Sequence, residues 1–185
     1  MKLITLFIAV CACVTAFAET SSTTNGAAPD KAQVMNRIDG LLAAEKVFYL
    51  ATVDGDQPKL RPLGAHHVVD GKVWLGVGEF KNVYRQLVAN PKCEVVALQP
   101  AGGKWLRWTG RAVFAEGAER ERLEEVFLSA APRLRKIYNK KPGKRMMCFT
   151  LVDSRAELIP MMPPGEVLLD ETPSVGKSTE AEKSF

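Results

Sequence analysis

The stretch VFYLATVDGDQPKLRPLGAHHVVDGKVWLGVG, residues 47–78, decides the fold. Two Asp-Gly pairs, Asp54-Gly55 and Asp70-Gly71, separate runs rich in β-branched and aromatic residues. Asp-Gly is a strong signal for a tight hairpin turn because glycine takes positive φ without steric cost. Consecutive hairpins predict an antiparallel meander or barrel rather than a parallel sheet.

The flanking sequence predicts the remaining elements, which make the fold class mainly β with flanking helices. Asp30 is a suitable N-cap for a lead-in helix, and Asn90-Pro91 ends a short helix after the hairpins. Helices are predicted at 31–45, 80–89 and 116–130, further strands at 93–98 and 104–114, and a last hairpin with arms 146–152 and 155–160 around Asp153-Ser154.

Composition indicates one soluble globular domain. The 185 residues are 46% hydrophobic and 25% charged, with a net charge of +4. This mild charge suits an anionic small ligand and lacks the dense basic stripe of a nucleic-acid binder. No Cys/His set has zinc-site spacing, so no metal site is predicted.

The chain is predicted to divide into a signal peptide at 1–18, a flexible tether at 19–30, a folded domain at 31–165 and a disordered tail at 166–185. The apolar run after Lys2 is too short to span a bilayer. An exported protein, periplasmic or secreted, is therefore expected. A lipid anchor at Cys13 is the alternative. Of the cysteines that remain, Cys93 and Cys148 are predicted to be inert core thiols, although export would allow their oxidation.

Arg61 and Lys81 are the sharpest candidate binding residues. Arg61 precedes Pro62 in a strand, and Lys81 lies in the first turn of a helix, where a cation opposes the helix dipole. A cation there is better explained if an anion occupies the helix end, and phosphate is the natural candidate. Two solvated surface charges are the alternative. Gly76 and Gly78 predict a close backbone approach beside them.

Other candidates are open to more than one interpretation. Trp105 and Trp108 fall on opposite faces of a strand, and either a ligand-covering role or a core role fits them. His66 and His67 also point to opposite faces, as haem ligands, acid–base groups or structural residues. The basic run 133–145 is a solvated loop, a rim over the site or a polyanion-binding patch. The sequence shows no catalytic motif.

The order of motifs resembles the pyridoxamine 5′-phosphate oxidase-like split-barrel flavoproteins, and their small general stress protein members in particular. Five motifs together carry this resemblance. They are FYLATVDGDQP (48–58), RPLG (61–64), DGKVWLGVG (70–78), KNVYRQLVANP (81–91) and GGKWLRWTGRAVF (102–114).

The resemblance implies a six-stranded antiparallel split β-barrel and a homodimer that holds FMN in a groove between its subunits. Arg61 and Lys81 match residues that hold the FMN phosphate, the backbone of 77–80 would line the same pocket, and Trp105 would lie beside the flavin ring. The implied cofactor-binding set is Arg61, Pro62, Val77, Gly78, Glu79, Phe80, Lys81 and Trp105.

Two departures from the family pattern shape the functional expectation. Phe80 stands where many relatives have a basic residue, and the C-terminal arginine and histidine pattern of true pyridoxamine phosphate oxidases is absent. The expected function is therefore an exported FMN-binding oxidoreductase that does not catalyse that reaction. The alternative is a non-catalytic protein that binds haem, a deazaflavin or another conjugated anion in the same groove.

Overall fold

The computed structural model describes residues 30–44, 46–99, 103–162 and 164–173. The predicted signal peptide, residues 19–29 of the tether and residues 174–185 of the tail lie outside this part. The elements are α1 (Lys31–Ala44), β1 (Phe48–Asp54), β2 (Gln57–Leu63), β3 (His66–Val69), β4 (Lys72–Gly78), α2 (Asn82–Ala89), β5 (Lys92–Leu98), β6 (Lys104–Phe114), α3 (Gly117–Ala130), a 3₁₀ helix (Pro132–Lys136), β7 (Met146–Pro160) and β8 (Glu166–Asp170).

The strands form one antiparallel sheet in the order β2-β1-β5-β6-β7-β4-β3, with β8 also paired to β7. The mainly β fold class is confirmed. The described residues contain eight strands instead of the predicted six. One of the added strands is β3, which is separated from β2 at Gly64. A Cβ at Gly64 would lie 2.8 Å from the carbonyl oxygen of Lys46, so only glycine fits this close passage.

The predicted last hairpin is wrong, because β7 runs unbroken through Asp153 and Ser154. Asp153 takes a positive φ of 47°, and the pairing of β6 with β7 shifts register between Thr109 and Arg111. The Asp-Ser pair therefore marks a β-bulge rather than a turn. The bulge bends a long strand that pairs with β4 near its start and with β8 near its end.

Strand β8 lies inside the segment 166–185 that the sequence analysis predicts as a disordered tail. It pairs with residues 155–158 of β7. Glu166, its first residue, also forms a two-pronged ion pair with Arg37 of α1, at 2.6 and 2.8 Å. The sheet edge and this ion pair supply the order that composition alone did not predict.

Two apolar clusters lie on opposite faces of the sheet. The first fills the barrel, and α1 contributes Val34, Ile38 and Leu42 to it. The second packs α3 against β4 and the start of β7. Cys93 belongs to the first cluster and Cys148 to the second, and both are free and buried, as predicted. Of the helices in the described part, none has the length and apolar character needed to cross a membrane.

Candidate functional site

A cleft of about 650 Å³ opens where the sheet is split between its two edge strands. The connection from β2 to β3 forms one wall, and the end of α3 with the 3₁₀ helix forms the other. Lys81 and Pro62 are both among the residues that line the cleft. The volume is within the range of small-molecule sites.

Arg61 lies on the inner face of β2, half-buried against α2. Its guanidinium donates to Oγ1 of Thr52 at 2.7 Å and to Oε1 of Gln86 at 2.9 Å. Both acceptors are neutral and buried. Burial lowers the pKa of Arg61, and the charge of Asp54 opposes this shift. No described carboxylate makes a salt bridge with Arg61; the nearest opposing charge, Asp54, is reached only through Gln86, which donates to Oδ2 of Asp54 at 3.1 Å.

Lys81 is the N-cap residue of α2, and its side chain is exposed. It makes no side-chain cap, so the first N–H groups of the helix are not satisfied by a capping side chain. Arg61 does not line the cleft itself, but its neighbour Pro62 does. Gln86, the fifth residue of α2, accepts the hydrogen bond from Arg61 and itself donates to Oδ2 of Asp54 at 3.1 Å.

The glycines of β4 make room for aromatic rings, as their predicted close approach requires. A Cβ at Gly76 would lie 2.9 Å from the ring of Phe127 in α3, and one at Gly78 would lie 3.1 Å from both Phe80 and Tyr138. Phe80 is half-exposed and stacks on Tyr138 with ring centroids 5.9 Å apart. The residue that departs from the family pattern therefore has a packing role.

Two other residues of the implied cofactor-binding set, Val77 and Glu79, make contacts that stabilise the fold. Val77 is buried in the barrel core. The backbone N–H of Glu79 donates to the carbonyl of Arg145 at 3.0 Å, and its carboxylate accepts from the N–H of Arg145 at 3.3 Å. The N–H of Glu79 is therefore already used within the protein.

The two strand tryptophans lie on opposite faces of β6, as predicted. Trp108 is completely buried in the barrel core, which confirms its core role. Trp105 is half-buried on the outer face, between Leu98 of β5 and Ile159 of β7. It is not part of the cleft wall. Within a single described chain, Trp105 is therefore not brought together with Lys81.

The two histidines also point to opposite faces, yet both line the cleft because β3 is an edge strand. His66 contacts Phe48 on the barrel side. His67 packs edge-on against Phe127, with ring centroids 4.7 Å apart. Burial and, to a lesser extent, the charge of His66 lower the pKa of His67, and the charge of Asp39 opposes this shift. The environment of His67 therefore favours its uncharged form.

Three of the seven basic residues in the run 133–145 form salt bridges with carboxylates of α3. Arg135 and Lys140 both pair with Glu125, and Arg145 pairs with Glu124 and Glu121. Arg133 lies at the cleft wall. The interpretation as a rim over the site thus fits better than a continuous polyanion surface.

Sequence reasoning did not identify Asp39 and Tyr138 as cleft residues. Asp39 follows the buried face of an amphipathic helix, and Tyr138 follows a turn-rich basic segment. Neither position carries a local motif. Only the packing of α1 and the 3₁₀ helix against the sheet edge brings them to the site.

Comparison with known proteins places this arrangement in context. The family model described as "Pyridoxamine 5′-phosphate oxidase" matches residues 35–156. A solved nimC/nimA family protein from Clostridium acetobutylicum is 29% identical with a TM-score of 0.65, over 74% of this chain and 92% of that one. Among curated protein sequences, no match was found.

Two more distant solved structures share the fold. A heme binding protein from Mycobacterium smegmatis is 16% identical with a TM-score of 0.55, over 79% of this chain and 60% of that one. A pyridoxamine 5′-phosphate oxidase-related, FMN binding protein from Nostoc punctiforme is 15% identical with a TM-score of 0.50, over 72% and 84% of the respective chains. The model match spans most of the folded domain and includes both edge strands and α2. This chain belongs to the pyridoxamine 5′-phosphate oxidase family.

Proposed function

We propose that this protein is an exported FMN-binding oxidoreductase. The observation that carries the proposal is Arg61, a half-buried cation whose hydrogen-bond acceptors in the described chain are neutral. Burying a charge without a directly paired opposite charge is costly, and a bound anion would reduce that cost. A phosphate ester is an anion that a guanidinium and a helix N-terminus can both hold.

The residues present fit the phosphate end of FMN. Arg61 would contribute its guanidinium, Lys81 its ammonium, and the first turn of α2 its N–H groups. These groups come from β2 and from the start of α2, the helix whose Gln86 accepts a hydrogen bond from Arg61. The bound flavin would supply two-electron redox chemistry, while the chain supplies position and charge.

Trp105 meets the flavin in this proposal only if a second copy of the chain is present. Its outer sheet face carries exposed apolar side chains, among them Leu98 at 55% and Tyr49 at 39% exposure. Tyr49 pairs with Val96, and Leu98 pairs with Trp105, so these side chains form part of one surface. A homodimer formed through this face would bury the surface and bring Trp105 toward the partner's cleft. Sedimentation analysis tests the dimer.

A second candidate function is non-catalytic binding of haem, and one observation favours it. His67 lines the cleft as an imidazole whose pKa is lowered, and a neutral ring nitrogen is what iron coordination requires. A haem binding protein is among the solved structures that share the fold. Haem titration should then give a Soret band that His67→Gln removes. A deazaflavin would instead behave like FMN in the test below.

Flavin titration of the mature chain separates these functions. Arg61→Ala and Lys81→Ala should each weaken FMN binding roughly tenfold or more, because each loses a charge-assisted hydrogen bond. Lys59→Ala is the matched control, since this exposed residue lies on the same strand two positions before Arg61. Unchanged FMN affinity in both site variants would show that the phosphate is held elsewhere. Riboflavin, which lacks the phosphate, should be insensitive to all three substitutions.

A further inference from the structure

Arg61 belongs to a closed triangle of hydrogen bonds between the first hairpin and α2. Its guanidinium donates to Oγ1 of Thr52 at 2.7 Å and to Oε1 of Gln86 at 2.9 Å, and Thr52 donates to the same Oε1 at 2.8 Å. Thr52 and Gln86 are both buried, with exposed fractions of 2% and 7%. Residues of two strands and one helix thus hold the guanidinium in one place.

The hydrogen bonds also fix which way the amide of Gln86 faces. Oε1 accepts from Thr52 and from Arg61, so both of its lone pairs are used. Nε2 donates to Oδ2 of Asp54 at 3.1 Å. The reverse orientation would turn an N–H donor toward a guanidinium, which has only donors, and an acceptor toward a carboxylate. Gln86 therefore lies between a cation and an anion and gives each of them a neutral partner.

This arrangement leaves much of the guanidinium available to a ligand. Of the five N–H donors that an arginine carries, the described residues accept from two in Arg61. A carboxylate at position 86 would have nearly the same size, but it would pair with Arg61 and neutralise its charge.

A purely structural tie explains the neutral amide less well. Val83 and Leu87 already anchor α2 in the barrel core. A glutamate would tie the helix to Arg61 at least as firmly as the amide does, because a hydrogen bond between two charged groups is stronger than one to a neutral acceptor. The amide orients the guanidinium and leaves its charge for an anion.

Building on the proposed FMN phosphate site, we propose that Gln86 is a positioning residue that makes this site selective for a phosphate ester. It orients Arg61 through Oε1, and it keeps Asp54 from forming an ion pair with Arg61. The ligand class is a flavin that carries a phosphate monoester, recognised over the same flavin without it. Gln86 acts through Arg61, so its replacement should alter the recognition of the phosphate and not that of the flavin ring.

The experiment measures the dissociation constants of FMN and riboflavin by quenching of flavin fluorescence, and their ratio is the readout. Gln86→Glu should weaken FMN binding about tenfold or more and change riboflavin binding less than about twofold. Gln33→Glu makes the same chemical change at an exposed position of α1 and should leave both constants unchanged. Thr52→Val removes one neutral acceptor without adding a charge. It should weaken FMN binding about three- to tenfold, and it tests the triangle even if Gln86→Glu does not fold.

A second background separates the action through Arg61 from direct repulsion of the phosphate. In Arg61→Gln the guanidinium is absent, so adding Gln86→Glu should change FMN affinity less than about threefold. A full tenfold loss in this background would mean that the new carboxylate repels the phosphate directly, and it would overturn the inference.

The outcomes also separate this inference from the function on which it rests. A chain that binds neither flavin, or binds both equally, defeats the proposed phosphate site together with the role of Gln86. A clear preference for FMN that Gln86→Glu leaves unchanged overturns only the role of Gln86. Equal weakening of FMN and riboflavin also overturns it, because the substitution would then act on the fold. The melting temperature of each variant, measured without flavin, identifies that case.

Discussion

Replacing Arg145 should destabilise the protein more than replacing any surface arginine, because it leaves a buried carboxylate without its counterion. Glu124 is completely buried in α3. One of its oxygens, Oε2, accepts from Nε and Nη2 of Arg145 at 3.1 and 2.5 Å. The other, Oε1, accepts from the backbone N–H of Met146 at 3.0 Å. Arg145 thus neutralises the charge of this carboxylate and donates two of its three hydrogen bonds.

These contacts determine how much unfolding free energy the replacement of Arg145 should cost. Breaking a buried pair by removing one partner costs about 3–5 kcal/mol, since the remaining charge stays out of water. Arg145→Met keeps most of the apolar stem, so lost packing adds little. Domains of this size are stable by about 5–15 kcal/mol, so the loss is a large share of the total. Burial of the pair also raises a second expectation: Arg145→Met combined with Glu124→Met should cost less than the sum of the single changes.

Urea unfolding followed by tryptophan fluorescence measures these losses. Arg135→Met is the control, because its partner Glu125 is exposed and its unfolding midpoint should not move. The pair also supports the site, since Arg145 holds Glu79 beside the start of α2. FMN affinity should therefore fall in Arg145→Met and stay unchanged in the control. A loss of less than about 1 kcal/mol would refute the assignment of Glu124 as a charge neutralised by Arg145.

Three further predictions follow from burial. Cys93 pairs with Gly110 of β6, and the carbonyl of Cys148 accepts from the N–H of Ala115, just beyond the end of β6. Gly110 and Ala115 are five residues apart, roughly 16 Å along an extended chain at about 3.3 Å per residue. The two thiols are therefore too far apart to form a disulfide. With both pKa values near 12, a thiol reagent should label neither cysteine until urea unfolds the chain. Gly76→Ala should cost about 1–3 kcal/mol in unfolding free energy because the methyl meets a ring of α3, whereas Gly40→Ala, with open space around it, should not destabilise. The pKa of His67 is lowered from 6.5 in the folded protein, so as the pH falls below about 6.5 the unfolded chain binds more protons than the folded chain. The free energy of unfolding therefore decreases in this pH range. His67→Gln should lose less stability between about pH 7.5 and 5.5, measured by urea midpoints.

The sequence predicted the central hairpins because each turn has its own local chemistry. Asp54-Gly55 and Asp70-Gly71 are turns in the structure, with positive φ at both glycines. Asp153-Ser154 carries a similar turn signal, but its long-range pairing with β6 turns the signal into a bulge. Local composition also could not predict β8, whose order comes from β7 and α1.

For the candidate site, too, the sequence could predict some features and not others. Arg61 and Lys81 were identifiable because a Pro-flanked strand arginine and a helix-start lysine are unusual positions that call for a compensating anion. In the structure Arg61 donates to neutral acceptors and Lys81 makes no side-chain cap, while the phosphate site itself stays a prediction. The proposal of FMN rests on the family and not on charge, because any phosphate ester would satisfy the same two cations.

The split of the barrel places the two groups of candidate residues on either side of the short connection between β2 and β3. Because β2 and β3 are both edge strands, the short connection between them is not covered by a further strand. Arg61 precedes this connection on the α2 side, and His66 follows it on the α1 side. Arg61 and His66 therefore lie at opposite ends of one short passage, with four residues between them. A ligand that spans this passage would meet the guanidinium of Arg61 at one end and the His66–Asp39 pair at the other.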